Sequence, residues 1–154
     1  MPNTNNLPKL IADFPQFKFK LDDVFKWSPG SQTISYSDIK DLESQWLLAH
    51  ELAHGLLSHV DYRFDVDLLR QESEAWNYAA QKLSGYYIAP LNEAYIEDCL
   101  ETYRDWLYKR SICPTCESTG LQIKTNTYNC INCRCLWRVN EARQCGLKRT
   151  KLPG

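Results

Sequence analysis

His50-Glu51-Leu52-Ala53-His54 places two imidazoles one helical turn apart with a carboxylate between them. At about 100° per residue, positions i and i+4 lie about 40° apart around a helix, so both rings can reach one metal ion. Glu51 projects at the neighbouring angle, suited to holding a water on that metal and not the metal itself. This is the H-E-x-x-H spacing of a zinc hydrolase, in which bound zinc acidifies water and the glutamate accepts the proton. The chain holds three histidines, His50, His54 and His59, and this stretch uses two of them.

A catalytic zinc takes three protein ligands and keeps a position open for water, so a third donor is expected. His59 lies five residues beyond His54, about 140° away on a continuous helix, and joins the site only if the helix breaks before it. Unbroken, it is a C-terminal histidine facing the helix dipole. It also misses the longer metzincin spacing. The other source is Gln71-Glu72-Ser73-Glu74-Ala75-Trp76-Asn77-Tyr78-Ala79-Ala80. Glu74 is the preferred ligand, because Ala75 and Ala79 permit close packing onto the first helix and Tyr78 lies one turn on. Glu72 is held in reserve. Tyr62, Tyr78, Tyr86 and Tyr87 are candidates for a second donor to an oxyanion.

Cys113-Pro114-Thr115-Cys116 and Cys130-Ile131-Asn132-Cys133 form a second pattern. Two C-x-x-C pairs around a short strand-like spacer predict a zinc ribbon. Four thiolates close the coordination sphere, so this zinc is expected to be structural, standing in for a core that so short a segment cannot build. Cys135 and Cys145 are competing ligands, and Cys99 is expected to be a buried helix residue. An odd count of seven cysteines, with no basic and apolar leader in Met1-Pro2-Asn3-Thr4-Asn5-Asn6, favours metal over disulfides and a cytoplasmic setting.

The elements that must carry these groups are legible in the apolar pattern. A hydrophobic content of 44% and an aromatic content of 12% suit a folded domain, and no apolar run approaches a membrane span. Phe17, Phe19 and Leu21 alternate with polar residues as in a strand, and the stretches 24–27 and 33–36 flank Ser28-Pro29-Gly30-Ser31 as a hairpin. Ser37 is the expected N-cap of a helix over residues 39–59 carrying the histidines. Further helices are expected over 68–83 and 92–109, with a loop at 60–67. The net charge of −1 conceals an acidic body and a basic tail: ten of eighteen Lys and Arg, but three of nineteen Asp and Glu, follow Tyr103. Arg134, Arg138, Arg143, Lys148, Arg149 and Lys151, mixed with an exposed Trp137, suggest nucleic-acid contact through phosphate binding and stacking.

Trp46-Leu47-Leu48-Ala49-His50-Glu51-Leu52-Ala53-His54-Gly55-Leu56-Leu57, followed by Glu74-Ala75 with Tyr78-Ala79-Ala80 and later Pro90, resembles the ImmA/IrrE family of metallopeptidases over about residues 30–90. Ala53 departs from the glycine commoner in that family. The resemblance implies a gluzincin-like centre with zinc on His50, His54 and Glu74 and with Glu51 as general base. It also implies a DNA-binding repressor as candidate protein substrate. The expected fold is α+β: a small zincin-like metallopeptidase domain over 1–110, with a β-hairpin or small sheet and three main helices, then a four-cysteine zinc ribbon with a basic tail over 111–154. The expected function is that of a zinc-dependent endopeptidase with one catalytic and one structural zinc, acting on a protein and not on a membrane. Two alternatives are a SprT/Spartan-like protease acting on DNA-associated proteins, and a non-enzymatic zinc-ribbon adaptor for nucleic acid or protein. The strand at 33–36 is the expected edge for an extended substrate.

Overall fold

Thr33–Tyr36 (β3) is the centre of a three-stranded sheet in the computed structural model, which describes residues 6–143 and 145–153. Lys18–Leu21 (β1) pairs with it in parallel and Lys26–Ser28 (β2) pairs antiparallel, so the predicted hairpin forms across Pro29 and Gly30. Both edges of β3 are thereby occupied. The expectation that 33–36 receives a substrate strand is corrected: an extended chain can add only at an outer edge, and β1 and β2 hold those edges.

The fold is α+β, with four α-helices and two small sheets among the described residues. The chain divides into two compact units. One comprises Met1–Val60 with Gln71–Glu97, the other Asp61–Arg70 with Asp98–Gly154. No helix is long and apolar enough to cross a membrane among the described residues.

In the first unit a short helix, Leu7–Asp13 (α1), has a proline in its first turn and buries Leu10. The histidine helix, Leu42–Leu56 (α2), starts three residues later than expected. Asp41, not Ser37, is its N-cap, because Asp41 and Ser44 make a reciprocal capping box: the Ser44 N–H donates to Asp41 Oδ1 at 2.8 Å and the Asp41 N–H donates to Ser44 Oγ at 3.0 Å. Trp46, Ala49, Leu52 and Ala53 bury one face of α2, with His50 and His54 beside them.

The end of α2 matters as much as its start. Ser58 takes a left-handed φ of 56°. The His59 N–H donates to the His54 carbonyl and the Ser58 N–H to the Gly55 carbonyl, both at 3.0 Å. These two bonds make a Schellman turn, which normally places glycine where Ser58 stands. The helix therefore breaks before His59, and the chain reverses over its own last turn. Ser58→Gly removes the cost of a left-handed β-carbon and is expected to raise stability by about 0.5–1 kcal/mol. A rise in the urea midpoint at unchanged slope checks this, and a fall would show that the serine side chain contributes more than the strain.

Asp65–Tyr78 (α3) begins before the expected 68, and a π-helical turn, Ala79–Leu83, continues it. Gln71 Nε2 donates to the Val60 carbonyl at 3.0 Å, tying the chain after the Schellman turn to α3. Ser84 then bridges to Ile88, and Ala89 docks on α2 through Gln45 and the Trp46 indole. Glu93–Ser111 (α4) closes the helical set.

The second unit carries a four-stranded sheet in the order β4–β5–β6–β7. Its strands are Leu121–Lys124 (β4), Thr127–Asn129 (β5), Leu136–Val139 (β6) and Arg149–Lys151 (β7), all neighbours antiparallel. Its apolar cluster is small: Cys113, Tyr128, Cys130, Trp137 and Val139. Gly120 is obligatory there, since a β-carbon would collide with the Trp137 ring. Asp65 belongs to this unit because Arg110 pairs with it at 2.8 Å, both side chains being 2% exposed. Tyr128 Oη also donates to its carboxylate at 2.5 Å. Such a buried pair is stable only when its remaining polar atoms are satisfied. Arg110 meets this condition by also donating to the Asn140 carbonyl and Asn126 Oδ1.

Candidate metal centres

The helical spacing of His50 and His54 does what elementary geometry requires: their Nε2 atoms face each other at 3.0 Å. The third donor is Glu72. Its Oε2 lies 2.8 Å from His50 Nε2 and its Oε1 lies 3.3 Å from His54 Nε2. These three residues, all buried, form a group able to hold a metal ion. Zinc bound by nitrogen at about 2.0–2.1 Å in tetrahedral geometry sets its donors about 3.3 Å apart, and the observed separations approach that value. Burial works against the Glu72 charge, but hydrogen bonds from the two histidines prevail and hold its carboxyl down at about 2.

Glu74, the expected ligand, lies elsewhere: its Oε2 is 2.9 Å from His59 Nε2. The correction has a simple cause. Ala75 and Trp76 of α3 and Ala79 of the π-helical turn that continues it are buried, and a stripe of steps three, four and seven leads back to position 72. Glu74 is two residues, or about 200°, out of phase with Glu72. The signal was present in the sequence, because Ala75 and Ala79 share a face with Glu72, one turn N-terminal, and not with Glu74. Trp76 on the same stripe stacks on the His50 ring, with centroids 4.2 Å apart.

Of the two readings of His59, the structure realises the one in which the helix breaks before it: the Schellman turn returns it to His54, with the two Nδ1 atoms 2.8 Å apart, and it stays outside the donor group. Burial depresses its imidazole below the ordinary histidine value, against the opposing pull of Glu74. Helical spacing permits this contact only where the helix breaks first, and no glycine in the sequence marks the break.

Glu51 stands outside the donor group. Its Oε2 accepts the main-chain N–H of Trp27 on β2 at 2.7 Å, while the Trp27 indole N–H donates to the His59 carbonyl at 2.8 Å. The edge strand thus fixes both the carboxylate between the histidines and the residue behind His54. Gly55 permits this approach, since a β-carbon there would meet Phe17 and Trp27 rings at 3.2 Å. Among the tyrosines proposed as oxyanion donors, Tyr87 is committed to Asp13 at 2.6 Å and Tyr86 packs under Lys9. Tyr78 is the half-buried last residue of α3, and Tyr62 belongs to the second unit.

Cys113, Cys116, Cys130 and Cys133 converge into a second group able to hold a metal ion. Cys113 and Cys133 sulfurs are 3.6 Å apart, and those of Cys116 and Cys130 are 3.5 Å apart. A disulfide would require about 2.05 Å. Four sulfurs around zinc at about 2.3 Å lie about 3.8 Å from one another, so the spacing suits a tetrahedral thiolate site.

The two C-x-x-C turns are built alike. In each, the first cysteine accepts at its carbonyl from the residue four positions on, and its N–H donates to the carbonyl five positions on. The residues in the fourth place, Glu117 and Arg134, both have a φ of 64°. Cys135 occupies the fifth place in the second turn. Its carbonyl closes that turn, and its thiol lies outside the four-sulfur group, which explains why the sequence offered it as a rival ligand. Hydrogen bonds from Ser118 and Asn132 pull the Cys116 thiol down to about 5, while the Cys133 thiol, despite a backbone hydrogen bond from Cys135, is pushed up by burial and its neighbouring thiols. Cys99 is half-buried on α4 and Cys145 is exposed.

Trp137 is not the exposed stacking platform expected of the basic tail. It is 0% exposed, stacks on Tyr128 and donates its indole N–H to the Arg110 carbonyl at 3.0 Å. Strand alternation explains this: Trp137 and Val139 point to the core while Arg138 between them is exposed.

No protein-family model, curated protein or solved structure matches this chain.

Proposed function

We propose that this chain is a metal-dependent endopeptidase of zincin-like type, with zinc at His50, His54 and Glu72 and a zinc ribbon at the four cysteines. The observation that carries the reading is the division of labour on α2. Two histidines and Glu72 converge as donors, while Glu51 between them stays out of the group and is anchored by the Trp27 N–H. A metal-stabilised scaffold has no use for a separately held carboxylate at that position.

When bound, zinc supplies a Lewis acid and an acidified water. Glu51 is the general base: with Oε2 held by Trp27, its Oε1 takes the proton of the attacking water and returns it to the leaving amine of the peptide. His50, His54 and Glu72 are spent on coordination. The resemblance to ImmA/IrrE metallopeptidases supports a third-ligand glutamate on the following helix and a DNA-binding repressor as candidate substrate. The four-cysteine group is the feature favouring the SprT/Spartan-like alternative, but that type draws its third ligand from a later histidine, and the chain has none after His59.

Glu51→Gln keeps the donors and removes the base. Its metal content is expected to match wild type while peptide hydrolysis falls about 10²–10⁴-fold. Comparing the proteomes of cells carrying the two forms identifies the substrate as a protein that stays intact only with Glu51→Gln. Identical proteomes together with identical peptide turnover would sink the enzymatic reading.

A further inference from the structure

We propose that the Trp27 side chain is a positioning device for the general base: its indole fixes the strand amide that in turn holds the Glu51 carboxylate. The inference deepens the reading of Glu51 as the base and rests on it.

The carboxylate has little else to hold it. Among the described residues, the Trp27 N–H at 2.7 Å is the one hydrogen bond made to the Glu51 carboxylate. A glutamate side chain turns about several torsions, each with its own staggered wells. A single bond therefore decides which way the second oxygen faces. The strand that supplies this bond is a weak support by itself. Lys26–Ser28 (β2) is three residues long and pairs on one side only, with β3. A short edge strand with few partners opens readily, and its amide would drift with it.

The indole supplies the missing tie. Its N–H donates to the His59 carbonyl at 2.8 Å in a buried bond. Its ring lies across the last turn of α2, so close that a β-carbon on Gly55 would meet it at 3.2 Å, and Phe17 packs edge-on against it with centroids 5.4 Å apart. A buried indole needs an acceptor for its N–H, and this acceptor belongs to the Schellman turn that closes the helix carrying Glu51. Trp27 thus grips α2 twice, by its main chain at Glu51 and by its side chain at the C-terminal turn. The two grips together set the distance between the strand amide and the carboxylate. A base displaced by about 1 Å loses up to about 100-fold in rate, so the side-chain grip acts on catalysis while touching no reacting atom.

Two variants remove the indole donor. Trp27→Phe keeps an aromatic ring, and Trp27→benzothienylalanine keeps the fused ring and loses only the N–H, which guards against a folding defect. The substrate probe is the peptide that the zinc-loaded wild-type protein cleaves fastest in a quenched-fluorescent library. Both variants are expected to lose about 10–100-fold in kcat, with KM and zinc stoichiometry as in wild type. The amide proton of residue 27 gives a readout independent of activity. It is expected far downfield in wild type, to move upfield in Glu51→Gln as the carboxylate is lost, and to move part of the same way in both indole variants. A tryptophan that merely packs would leave this amide and kcat unchanged in the folded benzothienylalanine variant. Wild-type kcat in both indole variants, with Glu51→Gln inactive, overturns the positioning role and leaves the base in place. If Glu51→Gln hydrolyses the peptide as fast as wild type, the base assignment falls and the positioning role falls with it, so that one variant tells the two failures apart.

Discussion

Glu72→Ala is expected to abolish metal binding at His50 and His54, leaving only the metal held by the cysteines. Glu72 places Oε2 2.8 Å from His50 Nε2 and Oε1 3.3 Å from His54 Nε2, and it is the sole carboxylate in that group. Without it, two imidazoles remain, one fewer donor than a catalytic zinc normally takes from protein. The loss should exceed the roughly 10–100-fold expected from disturbing an outer partner such as Glu74. The comparison of Glu72→Ala with Glu74→Ala is therefore decisive: metal analysis and Co²⁺ absorption should show the first site lost in one and merely weakened in the other. Glu72→Gln, which keeps the shape of the side chain, guards against misreading a folding defect as a ligand defect. Full metal content in Glu72→Ala, or its loss only in Glu74→Ala, would return Glu74 to the ligand position.

The second large effect concerns the cysteines. Cys130→Ser is expected to unfold the four-stranded sheet of the second unit, not merely to weaken its metal. Cys113 and Cys130 are themselves members of the apolar cluster, alongside Tyr128, Trp137 and Val139. That cluster is too small to hold a sheet of three- and four-residue strands without a cross-link. Apparent binding energies for structural zinc are about 10–16 kcal/mol in small modules, enough to decide between folded and unfolded. Hydrogen exchange should show protection lost at Tyr128, Trp137 and Val139 and retained at Ala49 and Leu52 of α2. Chelation of the wild-type protein should reproduce the pattern. Unchanged protection at Trp137 after either treatment would mean that the sheet stands without metal.

These two sites differ in how far they could be read from the chain alone. The donors His50 and His54, and each pair of cysteines, are close in sequence, and their relative placement follows from the pitch of a helix or the geometry of a tight turn. The α+β character and the hairpin across Pro29 and Gly30 were legible for the same reason, from period and punctuation. Cys135 was ambiguous because one carbonyl, not one thiol, was needed at its position, and residue type does not distinguish these uses.

What tertiary structure decided was phase and direction. Glu72 and Glu74 sit on the same helix with the same chemistry, and only the rotation that buries Ala75, Trp76 and Ala79 chooses between them. His59 could meet His54 only through a chain reversal, and a serine in the left-handed region makes that reversal where glycine would have announced it. The order of the first sheet made β3 central and β2 the edge that holds Glu51, a matter of which strands pair and not of any strand's own composition. Trp137 was drawn inward by packing against Tyr128. Local spacing determined which residues are equipped to hold metal; long-range packing determined which glutamate completes the histidine site and which one stands behind it, because burial of a helix face is settled by everything the helix packs against.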